Sequence, residues 1–223
     1  MEKGGVIFDF NGTLFWDSEY QETSWDKYLK TYNINLTKAQ KKNIHGRNGK
    51  DTFGILFKRE LNDYEVQQYT EEKEILYRNE CINHKLELAP GAKRLLEYLK
   101  KQRTPMAIAT ASCKINVDFF IDKFNLLDYF TEEHIIYDDG TIRGKPHPDL
   151  FEKAIQRLGV AKTDSIIFED SFSGIQAAIN CKVATIIIVN STGENYADFK
   201  LPIIEHFDQF DRNLLCSNKK IKY

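Results

Sequence analysis

The chain has 223 residues, 42% hydrophobic and 29% charged, with a formal net charge of −2. That length fits one large domain, or a core with a smaller unit inserted into it. The near-neutral charge argues against nucleic acid or an anionic membrane as the main partner, and no apolar run approaches the roughly 20 residues of a membrane span.

The four cysteines, Cys81, Cys113, Cys181 and Cys216, lie far apart with no metal-type spacing. This reads as reduced thiols in a cytoplasmic protein. Glu2 and Asp9 interrupt the window that a secretory signal would occupy.

Val6 to Phe8 is a short apolar run, expected as a buried strand, and it stops at Asp9. Gly12 then allows the backbone a sharp turn. A carboxylate at the carboxyl end of a parallel strand faces the crevice where open α/β sheets bind ligands. The alternative reading makes Asp9 a turn or helix cap. From Phe15 to about Leu86 the apolar residues take helical spacing, as in Trp25, Tyr28, Leu29 and Tyr32, and in Ile55, Leu56 and Leu61. This predicts a helical insertion. Within it, His45-Gly46-Arg47-Asn48-Gly49-Lys50 reads as a loop. Its cationic side chains either face an anion or lie solvated in a helix–helix turn.

Pro90-Gly91 opens a helix from about Ala92 to Lys101, with Leu95, Leu96 and Leu99 on one face. Met106 to Ala109 is a second strand, ending in Thr110-Ala111-Ser112. A helix follows from about Asn116 to Phe124, then a short strand over Ile135 to Tyr137. The loop Gly144-Lys145-Pro146-His147-Pro148-Asp149 precedes a helix carrying Leu150, Ala154, Ile155 and Leu158. Ser165 to Phe168 is another apolar run, closed by Glu169-Asp170, and a helix begins at Gly174. Ala184 to Val189, the most apolar run, predicts a central strand. Ile203-Ile204 predicts an edge strand, with a short helix around Phe210 to Leu215.

Strands alternating with helices predict an α/β fold, a doubly wound parallel sheet with helices on both faces. Asp9, Thr110 and Glu169-Asp170 all fall at strand carboxyl ends, the edge where such sheets hold ligands. Phosphoryl transfer needs a nucleophile, charge neutralisation and in-line positioning. A carboxylate facing a phosphate dianion needs cations between them, and Mg²⁺ suits carboxylate and phosphate oxygens.

Taken together, four separated stretches resemble the motifs of the haloacid-dehalogenase-like (HAD) hydrolases. They are Asp9-Phe10-Asn11-Gly12-Thr13, Thr110, Lys145 in Gly144-Lys145-Pro146, and Glu169-Asp170 in Phe168-Glu169-Asp170-Ser171. The run from Glu169 to Ala178, and that from Gly144 to Asp149, resemble the β-phosphoglucomutase-like branch. The resemblance implies a Rossmann-like core (residues 1–15 and 87–223) with a helical cap inserted at 16–86. It implies a Mg²⁺-dependent phosphatase that acts on a small phosphorylated metabolite through an aspartyl phosphate on Asp9. The metal ligands it implies are Asp9, the main-chain carbonyl of Asn11, Asp170, and Glu169 either directly or through a water. Lys145 is a fixed positive charge, Thr110, Ala111 and Ser112 bind phosphate, and His45, Gly46, Arg47 and Lys50 reach substrate from the cap. A cytoplasmic monomer, with no nucleic-acid or membrane partner, is the matching expectation.

Asn11 departs from the pattern, because the family's second aspartate is an acid and base. An amide cannot shuttle a proton, and general acid–base catalysis is typically worth about 10²–10⁴ in rate. Four readings stay open: a slow enzyme, a leaving group that needs little protonation such as an acyl phosphate, a substitute such as His45, or an introduced inactivating change. The cap departs too. Gln21 stands where β-phosphoglucomutases carry a histidine, and their cap-loop Lys and Arg fall at His45 and Gly49. These differences favour a phosphatase over a sugar phosphomutase. A metal-independent 2-haloacid dehalogenase, a phosphonate hydrolase using Lys50, and a degenerate phosphate-ligand binder are the remaining alternatives.

Overall fold

A computed structural model describes residues 4–44 and 49–215. Cys216 and the residues His45, Gly46 and Arg47, expected to reach substrate, lie outside the described residues. The sheet contains β1 (Val6–Phe8), β2 (Met106–Cys113), β3 (Ile135–Asp138), β4 (Ile166–Glu169), β5 (Thr185–Val189) and β6 (Ile203–Ile204). All pairings are parallel and the order is β3-β2-β1-β4-β5-β6.

The core helices are α5 (Ala92–Lys101), α6 (Lys114–Phe124), α7 (Asp149–Leu158) and α8 (Phe172–Cys181). Strand side chains alternate between faces. Val6 and Phe8 therefore pack with Leu95, Leu96, Leu99 and Phe120, while Ile7 packs with Phe151, Ala154 and Ala177 on the opposite face. A stacked Phe8–Phe168 pair, with ring centroids 5.0 Å apart, joins β1 to β4.

Between β1 and α5 the chain forms α1 (Ser18–Thr31), α2 (Lys38–Ile44), α3 (Gly49–Phe57) and α4 (Asp63–Ile82). These helices share a cluster of Trp25, Tyr28, Leu29, Ile44, Phe53 and Leu56. Asn62 and Glu65 start α4 with a reciprocal capping box, each side chain accepting from the other's backbone N–H. No described helix is long and apolar enough to cross a membrane.

Four details differ from the sequence reading. Thr110, Ala111 and Ser112 lie inside β2, which continues to Cys113. There the register shifts between Ala109 and Cys113, so an irregular strand end carries the hydroxyls. Strand β5 is paired on both sides but next to the edge; β1 and β4 take the centre. Gly49 and Lys50 belong to α3 rather than to a loop. Lastly, the expected final helix is two 3₁₀ turns, Phe207–Gln209 and Arg212–Leu215.

Candidate active site

The strand order turns at β1: β2 and β3 extend one way, and β4 to β6 the other. Such a switch point opens a crevice beyond the carboxyl ends of the two central strands. Asp9 follows β1, Glu169 closes β4 and Asp170 comes next, so three carboxylates from distant sequence meet there. Each offers an oxygen within 4.8 Å of the others.

Lys145 comes from the loop before α7 and is 2% exposed. Its ammonium donates to Asp9 Oδ1 and to Glu169 Oε1, both at 2.6 Å. Thr13 donates to Asp170 Oδ1 at 2.9 Å, and the Ser171 N–H donates to Glu169 Oε2 at 2.6 Å. Two glycines leave room for the acids. Gly12 has φ +80°, and a Cβ there would lie 2.1 Å from Asp170 Oδ2. A Cβ on Gly174 would lie 1.7 Å from Glu169 Oε1. Ser171 caps α8 by accepting the Gly174 N–H at 3.0 Å, which fixes the turn that carries the acidic pair.

Electrostatics test whether a cation fits. Burial pushes the Asp9 carboxyl up, and the Glu169 charge adds to this against the opposing pull of Lys145. Burial likewise holds Asp170 well above the carboxylate range, followed by the charges of Glu169 and Asp9. Burial works against the Lys145 ammonium, yet Asp9 and Glu169 keep its pKa above the ordinary value. Three carboxylates thus share one lysine, leaving excess negative charge in a poorly hydrated place. A hard divalent cation on Asp9 and Asp170 would relieve that imbalance, and the oxygen donor set suits Mg²⁺. Both Glu169 oxygens already accept hydrogen bonds.

Asn11 stands at the centre of a second network. Its Nδ2 donates to Asp17 Oδ2 at 2.7 Å and lies 3.1 Å from the Tyr77 hydroxyl. Its Oδ1 accepts the Ser112 hydroxyl at 2.7 Å. Asp17, only 1% exposed, also accepts from Gly12 N–H, Gln21 Nε2 and the Tyr77 hydroxyl, at 2.9, 3.0 and 2.6 Å. Lys73 of α4 is 3% exposed and donates to Gln21 Oε1 at 2.7 Å and Glu74 Oε1 at 3.0 Å. The network therefore ties α1 and α4 to the loop after β1.

Most of these groups line one crevice of about 1120 Å³, while Thr13, Tyr77 and Glu169 are fully buried. Asp9, Asn11, Thr110, Ala111, Ser112 and Lys145 lie on the sheet side, with Asp170 beside them. Gln21, Trp25, Lys50 and Lys73 line it from the helical insertion. Lys50 is exposed and lies 3.6 Å from Asp63, an ion pair across the start of α4. Sequence reasoning gave no role to Thr13, Asp17, Lys73, Tyr77 or Gly174. Asp17 just before α1 has the look of an N-cap, but its side chain makes no capping bond to that helix.

A sheet of this order is a doubly wound parallel α/β fold, with an acid trio and a lysine at its switch point. The family model of the haloacid dehalogenase-like hydrolases matches residues 6–188, and the chain belongs to that family. Its curated relatives and structural neighbours include proteins named as β-phosphoglucomutases. It is 25% identical over 198 residues to a phosphorylated carbohydrates phosphatase of Thermotoga maritima, covering 86% of this chain and 88% of that one. It is 27% identical over 182 residues to a β-phosphoglucomutase of Bacillus subtilis, covering 77% of each. A solved HAD hydrolase of family IA, variant 3, from Entamoeba histolytica superposes with a TM-score of 0.84 at 32% identity, over 96% of this chain and 100% of that one.

Proposed function

We propose that this protein is a Mg²⁺-dependent phosphatase of a small phosphorylated metabolite, acting through an aspartyl phosphate on Asp9. The observation that carries the reading is Lys145 lying 2.6 Å from both Asp9 and Glu169, with Asp170 completing the acid trio. Mg²⁺ held by Asp9, Asp170, the Asn11 carbonyl and, directly or through a water, Glu169 supplies neutralisation of the phosphate charge.

The chain's own groups do the rest. Lys145 holds Asp9 by Oδ1, and the other carboxylate oxygen attacks phosphorus. The bond from phosphorus to the leaving oxygen breaks, with its electron pair staying on that oxygen. Solvent water then attacks the aspartyl phosphate and returns the Asp9 carboxylate and inorganic phosphate. Thr110 and Ala111 at the irregular end of β2 cradle the phosphate oxygens, with Ser112 beside them holding Asn11. Residues 16–86 act as a cap over the crevice, with Gln21, Trp25, Lys50 and Lys73 facing the organic part of the substrate. The curated relatives named for phosphatases of phosphorylated carbohydrates and of fructose-1-phosphate support a small phosphorylated metabolite as that substrate.

The test is a panel of phosphate monoesters and acyl phosphates assayed with and without Mg²⁺, with Asp9→Ala as control. Metal-dependent release of phosphate that Asp9→Ala abolishes is the expected result. Phosphate release that ignores Mg²⁺ overturns the metal dependence, and no turnover of any ester or acyl phosphate overturns the phosphatase reading.

A further inference from the structure

The network around Asn11 has a fixed direction, and that direction bears on which substrates react. Asp17 Oδ2 accepts three donors: the Asn11 amide, the Gln21 amide and the Tyr77 hydroxyl. Its Oδ1 accepts the Gly12 N–H. With Nδ2 committed to Asp17, Asn11 must turn Oδ1 toward Ser112, whose hydroxyl proton it takes at 2.7 Å. Tyr77 is fully buried, and its hydroxyl donates to Asp17 Oδ2 at 2.6 Å. Each proton-bearing side chain that meets Asn11 therefore spends its proton inside the network. A leaving oxygen placed beside Asn11 would meet an amide there and no acid.

We propose that Asp17 is a positioning residue that locks Asn11 in this orientation, and that the lock makes the site selective for acyl phosphates, whose leaving group departs as a weak base. The proposal rests on the phosphatase reading and specifies the substrate of that same site. An alkoxide is a strong base and leaves poorly unless a proton reaches it as the bond to phosphorus breaks. The carboxylate released from an acyl phosphate needs no proton. Its transfer to Asp9 also exchanges one carboxylic–phosphoric anhydride for another, so the first step runs between chemically equivalent partners. The bond formed joins an Asp9 oxygen to phosphorus. The bond broken joins phosphorus to the acyl oxygen, which keeps the electron pair. Solvent water releases phosphate in the second step.

The experiment measures kcat/KM with Mg²⁺ for acetyl phosphate and for a series of ring-substituted phenyl phosphates of similar shape but different leaving-group acidity. The native chain is expected to hydrolyse acetyl phosphate and 4-nitrophenyl phosphate at least ~100-fold faster than phenyl phosphate, at the lower end of what a missing general acid costs. The reciprocal exchange Asn11→Asp with Asp17→Asn keeps a carboxylate and an amide facing each other, and puts the acid beside the leaving group. It is expected to narrow that gap at least tenfold. A flat dependence in the native chain overturns the proposal, because leaving-group basicity then does not matter. An unchanged gap in a folded exchange variant also overturns it, and if the variant does not fold the native series decides alone. Absence of turnover with every compound overturns the phosphatase reading itself, an outcome distinct from a flat series.

Discussion

The Lys145 ammonium lies 2.6 Å from Asp9 Oδ1, and the two residues are only 2% and 5% exposed. They are 136 positions apart in sequence, yet the same ammonium reaches Glu169 at equal distance. Removing one partner of a buried pair leaves the other charge uncompensated, at a cost of about 3–5 kcal/mol. Lys145→Ala is therefore expected to lower stability by that order in metal-free buffer and to cut kcat/KM by at least ~100-fold. Denaturant unfolding checks the first outcome and steady-state kinetics the second. Added Mg²⁺ should recover part of the stability, since it answers the same excess of negative charge.

Proton linkage gives a test that needs no substrate. Burial, together with the neighbouring carboxylates, raises the Asp9 pKa from 3.8 to about 7 and holds Asp170 well above its ordinary value. A carboxyl raised on folding contributes its stability below the unfolded pKa and loses it as pH rises through the folded one. The metal-free protein should accordingly lose stability between pH 4 and 7 through Asp9. Mg²⁺ binds the ionised forms, so its effect on Tm should grow across that window. Thermal unfolding with Mg²⁺ and with EDTA at several pH values measures both slopes. A Mg²⁺ effect that shrinks as pH rises would contradict the assignment.

Gly12 separates the loop after β1 from Asp170. Its φ of +80° is strained for any side chain, and an added Cβ would meet Asp170 Oδ2 at 2.1 Å. Gly12→Ala should displace the Asp170 carboxylate and weaken Mg²⁺ binding at least tenfold, measured by calorimetric titration. Substitution of Gly159, where nothing lies within 4 Å of an added Cβ despite a φ of +65°, serves as the comparison and should leave Mg²⁺ affinity unchanged.

Tyr77 reaches from α4 to Asp17 with a 2.6 Å hydrogen bond, both groups being buried. Tyr77→Phe keeps the ring but strips one donor from a buried carboxylate, a loss of about 1–3 kcal/mol. Unfolding by urea should show a lower midpoint with an unchanged slope.

Much of the architecture was legible because local pattern and tertiary role agree. Val6 to Phe8 read as a strand from three apolar residues before Asp9, and Leu95, Leu96 and Leu99 marked the buried face of α5 without ambiguity. The ordered motifs located Asp9, Lys145, Glu169 and Asp170, which the fold brings to one crevice. The end of β2 was expected at Thr110-Ala111-Ser112 and runs one residue further, to Cys113, because pairing with β3 beyond the register shift keeps it extended. Strand β5 was placed at the centre on apolarity, but burial on both faces requires only a neighbour on each side, and the two-residue β6 supplies one. Asp17 escaped notice for a different reason. Its partners Gly12, Gln21 and Tyr77 lie up to 60 positions away, and no periodicity encodes a hydrogen bond between a loop and a distant helix. Lys73 was equally hidden, as a lysine in a polar helix gives no sign that it folds over Trp25 and Tyr77, 4.9 and 5.0 Å from their ring centroids.

The most direct test of Asp9 as nucleophile is peptide mass spectrometry of the protein quenched in acid during turnover of 4-nitrophenyl phosphate with Mg²⁺. With an amide at position 11 to slow hydrolysis of the intermediate, a phosphate adduct should accumulate on the peptide containing Asp9, and omission of Mg²⁺ should remove it. Continued turnover with no adduct on that peptide, or equal turnover by Asp9→Asn, would contradict the account.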